Sequence, residues 1–263
     1  MLARVGKLDI GYDRQGDGPP ILMLHAFPFD RRMWQGTAAA LAGRHTVLTI
    51  DCRGFGESAG ALGKDGRFSI EDLADDTAGL MDALGLERAA LAGLSMGGYV
   101  ALAFAHRHGA RLRALVLCDT RAGADSPEGR RGRDDAIALV RSNGAGAYLD
   151  GTLPKLVAKD AAPATRARVR ALAATDDAAV TAGLAALRDR PDRSGELGSI
   201  RCPTLVLVGA ADGVTPPAEA RAMASAIPGA RLYEIPGAGH LSSLEAPAAF
   251  ETALLDFLDA AAA

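Results

Sequence analysis

The chain is expected to fold as an α/β protein, with a doubly wound, mostly parallel sheet and a helical insertion. Three observations point there. Five short, nearly continuous apolar runs recur along the 263 residues, and such runs suit strands buried on both faces. Stretches with helical spacing lie between them, and strand–helix–strand repetition implies right-handed crossovers. The rhythm breaks once, between about Arg121 and Arg190, where no strand-like run occurs.

Taken in order, Leu2 to Val5 and Leu8 to Arg14 read as an N-terminal pair of antiparallel strands. The apolar runs then follow as Ile21 to Leu24, Val47 to Ile50, Ala89 to Ala92, Leu115 to Cys118 and Leu205 to Val208, with Leu232 to Ile235 as a last strand. Ile70, Leu73, Leu80, Met81 and Leu84 recur at helical spacing. Acidic residues gather early in that stretch, where the helix dipole favours them. A helix over Ile70 to Leu84 is therefore predicted, and another from about Ser95 to His108.

In the interrupted region Leu139, Val140, Leu149, Leu153, Leu156 and Val157 recur at helix-like intervals and must bury against something. Residues 1–120 and 191–263 are accordingly assigned to one core, with 121–190 as a helical cap inserted into it. Arg130, Arg131, Arg133, Asp134 and Asp135 mix both signs and read as a solvated face. The tail Ala260 to Ala263 reads as a frayed helix end.

Composition excludes several classes. Hydrophobic residues make up 49% and charged residues 23%, too apolar for a disordered chain. Lys+Arg is 29 against 32 Asp+Glu, a formal net charge of −3. A nucleic-acid binder would show a basic excess, so none is expected as a partner. Cys52, Cys118 and Cys202 are an odd, scattered set and fit neither a disulfide framework nor a zinc site. The N-terminus carries charges before any apolar run develops, and no stretch approaches roughly 20 apolar residues. A cytoplasmic protein with no membrane contact is expected.

Gly93-Leu94-Ser95-Met96-Gly97 follows a strand and opens a helix. This is the G-x-S-x-G pattern in the context its geometry needs: a sharp turn that holds a serine hydroxyl at a helix N-terminus, with small flanking residues to give it room. The amide of Met96 would point at a developing oxyanion. A serine is a poor nucleophile without a base. His106 and His108 lie about three turns along the same helix, out of reach, and His45 precedes a strand at the sheet's other end. His240, in the loop after Leu232 to Ile235, can hang over the serine.

A carboxylate must orient that base. Asp212 follows the strand Leu205 to Val208, and ligand sites of open α/β sheets lie beyond the strands' carboxyl ends. Asp119 also ends a strand and is the rival, with a turn role as its plainer reading. A second oxyanion donor is expected from the loop His25-Ala26-Phe27-Pro28, through the Phe27 amide, because Pro28 has none to give. His25 is expected to brace that loop through a hydrogen bond.

Together with Asp51-Cys52-Arg53-Gly54-Phe55-Gly56-Glu57-Ser58, these segments resemble the α/β-hydrolase superfamily, in the expected order and over essentially the whole chain. Ala26 departs from the glycine common there. The resemblance implies a structural role for Arg53. The insertion is similar to the caps of enol-lactonases, carboxylesterases and carbon–carbon bond hydrolases. Haloalkane dehalogenases and epoxide hydrolases need a carboxylate where Ser95 stands, which excludes them.

The expected activity is hydrolysis of small to medium, mainly apolar carboxylic esters or lactones by Ser95, His240 and Asp212, with Phe27 and Met96 as oxyanion donors. Phe29, Trp34, Leu153 and Leu156 are candidate pocket residues. No cofactor or metal is expected, since no phosphate-cradling loop or zinc spacing is present. The alternatives are a perhydrolase or carbon–carbon bond hydrolase using the same residues, or a non-catalytic ligand-binding protein.

Overall fold

A computed structural model describes residues 1–62 and 65–262. The chain opens with strands β1 (Leu2–Val5) and β2 (Leu8–Gln15), which pair antiparallel across a turn at Gly6, where φ is +57°. Glycine meets that angle without a Cβ clash. Six further strands follow: β3 (Pro20–Leu24), β4 (Thr46–Ile50), β5 (Ala89–Leu94), β6 (Leu112–Cys118), β7 (Thr204–Gly209) and β8 (Arg231–Ile235). They form one sheet in the order β1-β2-β4-β3-β5-β6-β7-β8. β2 meets β4 antiparallel, and every pairing from β4 to β8 is parallel.

The strands run longer than the apolar runs alone predict. β5 extends through Gly93, a residue of low strand propensity, because β3 and β6 pair with it on both sides, and through Leu94, which pairs with Cys118 of β6. All residues of β4, β5 and β7 are buried, as expected of strands covered on both faces.

The covering helices are α1 (Gln35–Leu41), α2 (Ile70–Ala83), α3 (Met96–His108), α7 (Pro217–Ala226), α8 (Ser242–Glu245) and α9 (Pro247–Ala262), with α4 to α6 placed below. α2 begins with a capping box. The Ser69 hydroxyl accepts from the Asp72 amide at 3.0 Å, and the Asp72 carboxyl accepts from the Ser69 amide at 2.8 Å. Two otherwise orphaned donors are thereby satisfied. α1 packs on α9 and α2 on α3. α9 continues helical to Ala262, while Ala263 lies outside the described residues.

Between β6 and β7 the chain is helical, in α4 (Pro127–Thr152), α5 (Pro163–Leu172) and α6 (Asp177–Asp189). α4 breaks at Gly144, where φ is 81°. The break re-creates a helix start, and Asp177 caps it by accepting from the Ala145 amide at 2.7 Å. α4 and α6 pack along each other. Leu149 is fully buried, and Val140 nearly so.

Candidate active site

The C-terminal ends of β3, β5, β6, β7 and β8 converge on one rim of the sheet. β5 delivers Ser95, which sits at φ 54° and ψ −109°, directly before α3. A non-glycine residue held there is strained by about 1–3 kcal/mol and persists only when its surroundings fix it. The neighbours permit no side chains. A Cβ on Gly93 would fall 2.0 Å from the Gly97 carbonyl oxygen, and one on Gly97 would fall 2.2 Å from that of Leu24.

β8 leads to His240 and β7 to Asp212, both buried. His240 Nε2 lies 2.8 Å from Ser95 Oγ, and its Nδ1 lies 2.8 Å from Asp212 Oδ2. With Nδ1–H donated to the carboxylate, the free lone pair on Nε2 accepts a hydrogen bond from the serine hydroxyl. This tautomer follows from the hydrogen-bond network.

Asp212 accepts three further donors: the amides of Val214 (2.7 Å) and Thr215 (3.0 Å) on Oδ1, and the Thr215 hydroxyl (2.7 Å) on Oδ2. Burial alone would push its carboxyl up. The His240 contact and the Thr215 donors outweigh burial and hold it below the ordinary value of 3.8. Thr215 Oγ1 also stands 3.3 Å from His240 Nδ1. Sequence reasoning missed Thr215, which only the folded loop brings to the pair.

The loop after β3 faces Ser95. The backbone amides of Phe27 and Met96 meet no acceptor among the described residues, which leaves both free to donate to a ligand. His25 is fully buried and spans the loop's base. Its Nε2 accepts from the Cys52 amide at 3.0 Å, and Nδ1 lies 2.9 Å from the Ala26 carbonyl. Burial lowers its pKa, keeping the ring neutral in this bracing role. The Ala26 amide points to Met33 Sδ at 3.2 Å. Arg53 pairs with Asp76 at 2.6 and 2.7 Å, away from the serine.

A family model described as alpha/beta hydrolase fold matches residues 19–247. The chain belongs to that family. A thermophilic esterase from Thermogutta terrifontis superposes with a TM-score of 0.93 at 36% identity, covering 99% of this chain and 98% of its own. The enol-lactonase of Burkholderia xenovorans LB400 gives a TM-score of 0.88 at 32% identity, covering 98% of this chain and 100% of that one. RutD of Caulobacter sp. (strain K31), provisionally named a carbamate hydrolase, is 35% identical over 237 residues, 88% of this chain and 87% of RutD. The protein is therefore a hydrolase of the α/β type.

Within this α/β-hydrolase, Asp119 is not hydrogen-bonded to the histidine. It is fully buried at φ 44°, accepting from the Gly209 amide at 2.8 Å and from the Ser242 hydroxyl at 2.5 Å. It ties the ends of β6 and β7 to the start of α8, two residues beyond His240. Burial pushes its carboxyl up to about 7, with the Asp212 charge adding to the rise and His240 opposing it. His106 and His108 lie near Glu196 and Asp75, and His45 lies near Asp259, all away from Ser95.

The expected pocket residues separate. Phe29 and Trp34 are fully enclosed, and Trp34 packs its ring 6.0 Å from Phe250 of α9, in the core. Leu153 borders a cavity of about 210 Å³ between α4 and α5, and Leu156 is buried beside it. Phe27 packs its ring 6.2 Å from that of Tyr148 in α4, a partner the sequence did not reveal.

The mixed-charge run also divides. Arg130, Arg131, Asp134 and Asp135 are exposed as expected, but Arg133 turns inward to Asp125. Among the described residues no cluster of three or more His, Cys, Asp or Glu stands ready to hold a metal ion, and no helix is long and apolar enough to cross a membrane.

Proposed function

We propose that the protein is a serine hydrolase that cleaves small to medium carboxylic esters or lactones through an acyl-enzyme on Ser95. The observation that carries this reading is the unbroken relay of 2.8 Å contacts from Ser95 through His240 to Asp212. His240 takes the serine proton as the hydroxyl attacks the carbonyl. Asp212 holds the imidazole in the required tautomer and stabilises its cation. The amides of Phe27 and Met96 receive the oxyanion, where one donor is worth about 3 kcal/mol. His240 then activates a water that releases the acid.

In this reading the helices between β6 and β7 act as a cap, and the enclosed Phe27 and Tyr148 give the acyl part an apolar wall. The esterase and enol-lactonase relatives support the ester and lactone class. A cytoplasmic location fits the three free cysteines, since reducing compartments keep thiols unpaired. A chromogenic short-chain ester assay tests the mechanism. Wild type should turn over, and Ser95→Ala should lose activity by at least about a thousandfold. Equal activity in both proteins, or none in either, overturns it.

A further inference from the structure

The sheet's opposite rim, away from Ser95, carries a row of arginines. Four neighbouring parallel strands each have one at or just before the N-terminal end: Arg88 before β5, Arg113 in β6, Arg201 before β7 and Arg231 in β8. Adjacent strands lie about 4.8 Å apart, so the row spans roughly 15 Å. At their other ends the same strands lead to Ser95, Asp119, Asp212 and His240. The six residues of β5 put the two rims roughly 20 Å apart.

Two hollows open along this row. The first, about 440 Å³, is lined by Arg88, Arg113 and Arg201 over Leu112 and Ile200. The second, about 360 Å³, is lined by Arg201 and Arg231 over Phe257. Arg201, Cys202 and Pro203 belong to both, so the hollows meet. Each falls within the roughly 300–1,000 Å³ typical of small-molecule sites. Among the described residues, no aspartate or glutamate lines either hollow.

The four guanidiniums are charged at any working pH, and their donors are largely unspent. Arg88 gives only Nη2, to the Leu112 carbonyl at 2.7 Å, and Arg201 gives only Nη1, to the Gly198 and Ile200 carbonyls. Arg113 and Arg231 donate to no group among the described residues. Arg111, two residues before Arg113, is by contrast fully engaged, with the Leu86 and Glu87 carbonyls and the Asp82 carboxylate. The nearby acids are spent or set aside. Arg221 holds Glu234 of β8 at 2.7 Å, Arg44 holds Asp259 of α9, and Glu87 lies outside both linings. A chain of formal net charge −3 thus concentrates positive charge in one concave place, and such a field gathers anions.

Phosphate groups fit these donors best. A guanidinium fork matches phosphate oxygens bidentately, and a row of forks calls for several anionic groups on one ligand. Concave walls suit a small molecule, whereas a bilayer is held by apolar anchors laid in its surface. Phe257, the one aromatic residue in the described linings, is buried, so no ring is offered to stacking nucleic-acid bases.

We propose that the N-terminal rim of β5 to β8 is a binding site for a small polyphosphate, a molecule with at least two phosphate groups, held by Arg88, Arg113, Arg201 and Arg231. The site is separate from the candidate active site and stands whether or not Ser95 is a nucleophile.

Tripolyphosphate and orthophosphate are the probes, titrated into the full chain by calorimetry. Wild type should bind one tripolyphosphate per chain, at least about tenfold tighter than orthophosphate, and Ser95→Ala should bind it equally well. Arg113→Met and Arg201→Met should each weaken tripolyphosphate binding about fivefold or more. Arg221→Met, which removes an exposed arginine already paired with Glu234, should bind as wild type does. Melting curves need no variant to fold: tripolyphosphate should raise the wild-type melting temperature more than orthophosphate does. No binding by wild type, equal affinity for the two probes, or a loss in Arg221→Met as large as in Arg113→Met overturns the site. Capture on phosphatidylglycerol vesicles that tripolyphosphate does not displace, or tighter binding of oligouridylate than of tripolyphosphate, overturns it in favour of a membrane or an RNA.

Discussion

Two buried aspartates lie close to the same histidine and carry opposite perturbations. Asp212 is surrounded by donors and held below 3.8, so it stays ionised throughout the working range. The stability it contributes is full above the ordinary aspartate value and lost only as pH falls through the lowered one. Asp119 has two donors and is fully buried, and it keeps its proton up to about pH 7. There the folded chain binds a proton that the unfolded chain has released, so stability falls as pH rises between about 4 and 7.

Asp119→Asn keeps a hydrogen-bonding side chain but cannot ionise. Urea midpoints at pH 5 and pH 8 should therefore show the variant gaining on wild type at the higher pH. Parallel pH dependences in the two proteins would sink this account. Ser95, His240 and Asp212 were legible because each announces itself locally, in a small-residue turn, a glycine-rich loop or the end of a strand. Thr215 was not: part of its meaning lies in His240, distant along the chain, and a lone threonine carries no signal of that.

At the scale of the element, the core was readable because burial on both faces leaves continuous apolar runs. The errors sit at the ends, where pairing outruns composition. β6 begins at Leu112, ahead of the predicted Leu115, because a parallel neighbour extends the ladder. Caps decide helix starts more locally. The reciprocal bonds between Ser69 and Asp72 should make Ser69→Ala cost about 1 kcal/mol, measured by urea denaturation. An unchanged midpoint would show that tertiary packing alone sets the start of α2. The break at Gly144 was not foreseen, since a single glycine within a helical pattern is ordinarily tolerated.

Across the whole molecule, the helical segment is tied to both reactive loops. The Ala174 amide donates to the Pro28 carbonyl at 2.7 Å, in the loop after β3. On the other side Glu245 joins three amides: Ala158 on Oε2 at 2.7 Å, and Gly239 and Leu241 on Oε1 at 3.0 and 3.2 Å. His240 stands between the last two. Glu245→Ala should lower both kcat and thermal stability. Glu245→Gln should recover part of each, since its oxygen can still hold Gly239 and Leu241 while its amide cannot accept from Ala158. Bonds to charged groups are worth about 1.5–3 kcal/mol, enough to register in melting curves and steady-state rates. Unaltered values in Glu245→Ala would deny the tie any role.

The tethers at Pro28 and Glu245 also constrain how such a protein can be re-engineered. A chimera given a relative's helices would inherit an untouched serine, histidine and aspartate. It would nonetheless leave their loops unanchored unless the donor segment offered one backbone N–H opposite Pro28 and another opposite Glu245.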